Sequence, residues 1–269
     1  MAKLTPKIRP PGKIHGGKSY LARRIVAEFP PHDVYVEPFF GMGSVLLNKP
    51  KVHVEHACDV NEELIQFWLM LQRAPRSLVE MMEVTPYCQA SFDEAQVYLD
   101  HPYPYDANRV SFSWYVRQRM SRGGLGTYFA DSERERGGQP EGINSWETMQ
   151  SMIPRIAERV QGVHFGCMSW EHMTVWDGLQ TLYYLDPPYL PSTRTAKHSY
   201  GPHEMSMGDH LRLLATALRL QGMVALSGYS NPIYDHALAG WRRLEWEMPN
   251  HAGQGKKKGR RTECLWVNW

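Results

Sequence analysis

Cysteine is scarce: four residues of 269, Cys58, Cys88, Cys167 and Cys264, far apart and with no C-x-x-C pair. That spacing excludes a zinc knuckle or a dithiol redox motif and suits reduced, buried filler side chains. No apolar run approaches the about 20 residues that a membrane helix needs, so no membrane contact is expected. The leading stretch MAKLTPKIRPPGK is basic and proline-rich and has no apolar core of a secretory signal, so the cytoplasm is the expected compartment. An excess of one charge is missing too. Lys plus Arg is 30 against 28 for Asp plus Glu, a net charge of +2, which excludes a polybasic tail protein and an acidic disordered chain but names no partner. There is no internal repeat, and the only biased block is a short basic run near the end. What remains is ordinary globular composition, 42% hydrophobic and 22% charged, in a length that allows one large domain or a core with a sizeable insertion.

The hydrophobic pattern divides the chain into three regions. From Ser19 to Phe29, Leu21, Ile25, Val26 and Phe29 recur at helical spacing until Pro30 and Pro31. A strand over Val34 to Glu37 follows, then a glycine turn, Pro38 to Ser44, a helix beginning at Val45-Leu46-Leu47, and a second strand from Val52 to Cys58 that ends at Asp59. Between about Asn61 and Gln161 the pattern is mostly helical and broken by hydrophilic loops such as Gly123 to Gly142. The spacing there predicts a helix carrying Met149 and Met152 that breaks near Pro154, with a new helix over Arg155 to Val160. Strands return at Val163–Cys167 and Leu182–Leu185. A helix is expected over Asp209 to Leu220 with Gly222 as its cap, then a strand over Met223 to Leu226. Strands alternating with helices predict an α/β fold with a mostly parallel sheet. The expected division is a core of residues 1–60 and 162–269 around a helical insertion, 61–161.

One motif misleads. Gly12-Lys13-Ile14-His15-Gly16-Gly17-Lys18-Ser19 satisfies G-x-x-x-x-G-K-[ST], the phosphate loop of nucleoside triphosphatases, and the apolar run ending at Asp186 could pass for the magnesium-binding strand. That loop must follow a buried strand, and Lys7-Ile8-Arg9-Pro10-Pro11 is not one, because proline lacks the ladder donor.

The turn Glu37-Pro38-Phe39-Phe40-Gly41-Met42-Gly43 sits between strand and helix, and Asp59 closes the next strand. Such glycines let a ligand approach the backbone, and an acidic residue about 20 positions on can accept hydrogen bonds from ribose hydroxyls. An ordinary strand-to-helix turn accounts for the bare G-x-G equally well. Leu46 replaces the third glycine of a dinucleotide fingerprint, which disfavours nicotinamide binding.

Asp186-Pro187-Pro188-Tyr189 follows an apolar strand directly. Two prolines fix their φ angles and leave carbonyl oxygens unmatched by their own N–H groups, Asp186 adds an acceptor, and Tyr189 adds a flat apolar face with a polar tip. This set suits a planar group bearing an exocyclic amine. A rigid turn with the tyrosine packed in the core is the competing account.

Taken together these motifs resemble those of the DNA adenine N6-methyltransferases of the Dam-like, or D12, class. Asp186-Pro187-Pro188-Tyr189 is similar to their catalytic motif, Glu37 to Ser44 to their cofactor loop, Gly16-Gly17-Lys18 to their glycine-glycine-lysine, and Asp59 to Ile65 to their acidic strand end and following helix. Tails like Leu226-Ser227-Gly228-Tyr229 and Arg261-Thr262-Glu263-Cys264-Leu265-Trp266 occur in phage and prophage members. The resemblance is weakest from about Glu80 to Gly162. Where the class commonly has tryptophan four residues before the lysine, this chain has Ile14.

The resemblance implies a Rossmann-like S-adenosylmethionine-dependent sheet with a helical target-recognition insertion, no metal, and methyl transfer to N6 of an adenine flipped out of double-stranded DNA. Candidate catalytic residues are Asp186, Pro187, Pro188 and Tyr189. Candidate cofactor residues are Ile14, Lys18, Glu37, Phe39, Gly41, Gly43, Asp59 and Asp186. Candidate DNA contacts are Arg117, Arg119 and Arg122, which share a stretch with Phe112, Trp114 and Tyr115, and Lys256, Lys257, Lys258 and Arg260 of the basic run. A solvated helix face with its aromatics in the core explains the first cluster as well. A monomer is expected, with a cognate restriction endonuclease as a further partner. Cytosine-N4 methylation uses the same chemistry but more often a Ser in place of Asp186. Glutamine or RNA methylation usually has Asn there, and a non-catalytic DNA-binding remnant is the alternative from outside the enzymes.

Overall fold

Strands whose side chains are buried on both faces read as continuous apolar runs, and two such runs form the centre of the sheet. The structure, a computed structural model, describes residues 7–14, 16–131, 134–136, 138–193, 201–249 and 260–269. In chain order the first elements are α1 (Ala22–Ala27), β1 (Val34–Glu37) and β2 (Val54–Asp59), followed by α2 (Glu62–Arg73), α3 (Pro75–Val84), α4 (Gln89–Asp100) and α5 (Ala107–Met120). Next come β3 (Glu135–Arg136), β4 (Gln139–Pro140), α6 (Glu141–Val160), β5 (Val163–Cys167) and β6 (Thr181–Leu185). The chain ends with α7 (Met207–Ala217), β7 (Met223–Tyr229), α8 (Pro232–Ala237), β8 (Arg242–Pro249) and β9 (Arg260–Val267). It divides into two compact units, Met1–Ala27 with Gly41–Lys51 and Asn61–Cys167, and Glu28–Phe40 with Val52–Val60 and Met168–Trp269.

In the second unit the strands run β2-β1-β6-β7-β9-β8. β1 pairs in parallel with β2 and β6, β6 in parallel with β7, while β9 is antiparallel to both β7 and β8. All five residues of β6 are buried. Its core joins Tyr183 and Leu185 to Leu213 and Leu214 of α7, Leu226 of β7 and Trp266 of β9. Ser206 and Asp209 cap α7 reciprocally, each side chain accepting from the other's backbone N–H.

The first unit is mainly helical. Asn61 caps α2 by accepting from the Leu64 N–H at 3.0 Å, and the helix buries Leu64, Ile65, Phe67, Trp68, Met70 and Leu71. Phe67 stacks on Tyr115 of α5 with ring centroids 4.5 Å apart. The Tyr115 hydroxyl donates to the Pro11 carbonyl at 2.9 Å and so ties the N-terminal segment to α5. The Trp146 indole N–H donates to Met82 O at 3.1 Å, joining α6 to the end of α3.

Several expectations are corrected here. The helix expected from Ser19 to Phe29 is the shorter α1, and the helix after the glycine turn is a single 3-10 turn, Leu46–Asn48, ended by Pro50. α6 is continuous through Pro154. Proline there forfeits one hydrogen bond on the exposed side, while Trp146, Met149, Ile153, Ile156, Ala157 and Val160 bury the opposite side and hold the helix together. α7 ends at Ala217, so Gly222 is not its cap; Gly222 opens β7 so close to β6 that a Cβ there would lie 2.6 Å from the Thr181 carbonyl oxygen.

Candidate active site

Each unit gathers its own part of the expected site. In the first, Gly41 and Gly43 have φ of +51° and +64°, the left-handed region that glycine enters without Cβ strain. The Gly41 carbonyl accepts from the Trp68 indole N–H at 2.9 Å, and a Cβ on Gly41 would sit 3.4 Å from a methyl of Ile14. The Gly17 N–H donates to the Ile14 carbonyl at 3.2 Å, folding the glycine pair back on itself. Lys18 is only 6% exposed, and its ammonium donates to Gly16 O at 2.7 Å while its carbonyl accepts from the first turn of α1. Ile14 thus faces the side of Gly41 where a side chain would stand, and Lys18 precedes the helix that follows.

In the second unit, acidic residues close β1 and β2. Glu37 is 2% exposed and accepts from the Tyr35 hydroxyl at 2.8 Å. The Phe40 N–H donates to Cys58 O at 2.9 Å, which ties the turn after β1 to the end of β2, and Phe39 packs against the core. Asp59, half-buried, accepts at its carbonyl from the Met168 N–H at 3.0 Å.

β6 leads straight into Asp186. The hydroxyls of Tyr184 and Ser227 lie 2.9 Å apart, Pro187 is buried, and Asp186 and Pro188 are half-buried. Tyr189 is buried, donates its hydroxyl to Glu263 Oε2 at 2.6 Å and meets the Tyr229 ring edge to face at 4.5 Å. Burial raises the pKa of Tyr184, as does the Asp186 carboxylate. Tyr189 is raised by burial, then by Glu263 and Asp186. Burial and the Glu37 carboxylate raise Tyr35 likewise. All three phenols therefore remain protonated donors at neutral pH. Glu263, Ser227 and Tyr35 were not legible as site residues. The apolar run Cys264 to Val267 marks a strand but not what the polar residues before it face.

The arginines expected on α5 have partners within the protein. Arg117 pairs with Glu63 at 3.3 Å, and Arg119 donates to the Ser145 carbonyl at 2.8 Å and hydroxyl at 2.6 Å. Phe112, Trp114 and Tyr115 are buried, and Arg122 is exposed in the 3-10 turn Arg122–Gly124. Lys256, Lys257 and Lys258 lie outside the described residues; Arg260 opens β9, its side chain outside the description. Among the described residues no group of three or more His, Cys, Asp or Glu is placed to hold a metal ion, and no helix is long and apolar enough to cross a membrane.

A mostly parallel sheet finished by an antiparallel pair, with acidic residues at the carboxyl ends of its strands, is a Rossmann-like α/β arrangement. Residues 15–122 match the family described as D12 class N6 adenine-specific DNA methyltransferase. The DNA adenine methylase of Vibrio cholerae serotype O1 is 27% identical over 237 residues, 85% of this chain and 82% of that protein. The DNA adenine methylase of Salmonella typhi is 25% identical over 224 residues, 76% of this chain and 74% of that one. A solved structure, the rRNA methyltransferase AviRa of Streptomyces viridochromogenes, aligns over 100% of this chain and 88% of its own at 15% identity, with a TM-score of 0.41. The family match over residues 15–122 and the two DNA adenine methylases agree with one another: each likeness is to proteins that methylate adenine in DNA.

Proposed function

We propose that this enzyme transfers the methyl group of S-adenosylmethionine to N6 of an adenine flipped out of double-stranded DNA, with Asp186, Pro187, Pro188 and Tyr189 as its catalytic residues. The observation that carries this reading is the position of that tetrapeptide. It leaves the carboxyl end of β6, which lies between β1 and β7, where ligands of open α/β sheets bind.

The residues fit the cofactor. Left-handed backbone at Gly41 and Gly43 keeps their turn free of side chains, and the carboxylates of Glu37 and Asp59 suit the hydroxyl and ammonium donors of such a ligand. Lys18, Ile14 and Phe39 complete the set assigned to it. S-adenosylmethionine supplies an electrophilic sulfonium methyl when bound.

The amine lone pair of adenine is delocalised into its ring and is a poor nucleophile. Hydrogen bonds from N6 to the Asp186 carboxylate and the Pro187 carbonyl favour a pyramidal nitrogen with its lone pair localised. Asp186 is also the acceptor for the proton that N6 must lose. Flipping the base costs about a few kcal/mol, and contact with an aromatic ring at Tyr189 offsets part of it, stacking being worth roughly 1–3 kcal/mol per base. Residues 61–161 are assigned to target recognition, with Arg122 and the Lys256–Lys258 run on phosphates.

The test is to incubate the protein with S-adenosylmethionine and unmethylated DNA, digest to nucleosides and identify the products by mass spectrometry beside Asp186→Ala. N6-methyladenine that vanishes in the variant supports the reading. N4-methylcytosine overturns the base assignment, and near-normal turnover by Asp186→Ala overturns the catalytic one.

A further inference from the structure

The antiparallel pair β7 and β9 converges on one side chain of the catalytic turn. Tyr229 of β7 and Glu263 of β9 are direct partners in the antiparallel register, and both reach Tyr189. Tyr229 meets its ring at 4.5 Å with an interplanar angle of 74°, and Glu263 accepts its phenolic hydrogen at 2.6 Å. Pro187 and Pro188 already restrict the backbone that leads to Tyr189. What freedom remains to the ring is rotation about its two side-chain torsions. One contact on the ring and one at the hydroxyl restrain both.

We propose that Glu263 is a positioning residue, holding the Tyr189 ring at the angle at which it meets the target base, with Tyr229 setting the tilt. This deepens the proposed function and rests on it. Glu263 acts through Tyr189 and touches neither substrate nor cofactor. A hydrogen bond to an ionised acceptor is among the stronger kinds, so its loss is read as roughly a tenfold change or more. Because Tyr229 and Glu263 lie on different strands, the ring's orientation depends on β9 being paired with β7.

The experiment uses the full-length protein with unmethylated genomic DNA and compares Tyr189→Phe, Glu263→Ala, Glu263→Gln and the double variant Tyr189→Phe/Glu263→Ala. Turnover, KM for S-adenosylmethionine and thermal unfolding are measured for each. Tyr189→Phe and Glu263→Ala are each expected to lower kcat about tenfold with an unchanged cofactor KM. The double variant is expected to be no slower than the slower single variant, because both remove one interaction. Glu263→Gln keeps an acceptor oxygen and is expected to recover most of the turnover lost in Glu263→Ala. If Glu263→Ala fails to fold, Tyr189→Phe and Glu263→Gln decide the matter: a slow phenylalanine variant beside a faster glutamine variant supports the role. Losses that multiply in the double variant, a glutamine variant as slow as the alanine one, or wild-type kcat in Tyr189→Phe would each overturn it. A wild-type protein that makes no N6-methyladenine takes the proposed function down as well; one that does, with variants behaving independently, refutes the positioning role alone.

Discussion

Tyr35 donates its hydroxyl hydrogen to Glu37 two residues ahead of it, 2.8 Å away on the same face of β1. A spacing of two places both side chains on one side of a strand, and here that side is buried. A buried carboxylate that loses a donor keeps its full desolvation cost. Tyr35→Phe is therefore expected to destabilise the fold by about 1–3 kcal/mol in urea unfolding. Cofactor affinity measured by calorimetry should fall with it; an unchanged midpoint and affinity would show that Glu37 does not depend on this donor.

Gly41 carries a left-handed backbone with an Ile14 methyl 3.4 Å from the site of a Cβ. Gly41→Ala is expected to cost roughly 1–2 kcal/mol of backbone strain and to displace Ile14. Equilibrium dialysis with S-adenosylmethionine should show weakened binding, and full affinity would exclude this turn from the cofactor site.

Pro154 lies exposed in the middle of α6, where it removes one backbone donor. Replacing it by alanine restores that donor on a face with no packing to disturb. Pro154→Ala is expected to raise stability by about 1–3 kcal/mol, read as a higher Tm. A lower Tm would mean that the helix requires its irregularity at this point.

Arg119 and Arg122 stand three residues apart in sequence but differ in what they hold. Arg119 binds the carbonyl and hydroxyl of Ser145, whereas Arg122 is exposed. Arg119→Ala is expected to lower Tm, through loss of hydrogen bonds from a charged group worth about 1.5–3 kcal/mol each. Arg122→Ala should leave Tm in place and reduce the salt dependence of DNA binding by about one charge. Equal DNA binding by wild type and Arg122→Ala would remove Arg122 from the interface.

The cap of α7 predicts a pH effect. Hydrogen bonds from the Ser206 hydroxyl and backbone N–H, and then the nearby Arg212, hold the Asp209 carboxyl below its usual pKa. A carboxyl depressed in the folded state stabilises it above the unfolded pKa, and that contribution is lost as pH falls through the ordinary carboxylate value and then the lowered one. Ser206→Ala is expected to cost about 1 kcal/mol at neutral pH and to flatten the acid side of a Tm-against-pH curve. An acid limb as steep as the wild type's would assign that dependence to other carboxylates.

The strands at the centre of the sheet were legible because burial on both faces leaves an uninterrupted apolar run, as in Leu182–Leu185. β8 was not, although Leu244 and Trp246 alternate with Arg243, Glu245 and Glu247, because charged residues outnumber apolar ones over Arg242-Arg243-Leu244-Glu245-Trp246-Glu247, on a strand paired on one side with β9. The course of α6 through Pro154 was hidden because local chemistry argues for a break, and only tertiary burial of Trp146, Ile153 and Ile156 outweighs it. The motif residues stood out by type and spacing. The side chains that hold them did not: Glu263 is 74 residues from Tyr189, and no local pattern announces such a contact.

β1 takes β2 on one edge and β6 on the other, Val34 pairing with Val54 and with Thr181. During synthesis the first pairing is available almost at once, whereas the second waits until the whole of α2–α6 has been made. At about 5–20 residues per second, that leaves an apolar strand with an unpaired edge for on the order of 10 s. Such an edge is a template for the wrong partner, and long-range parallel pairing is slow to form. The intervening helices form from local contacts, and by condensing the chain between β2 and β6 they shorten the loop that the nascent sheet must close.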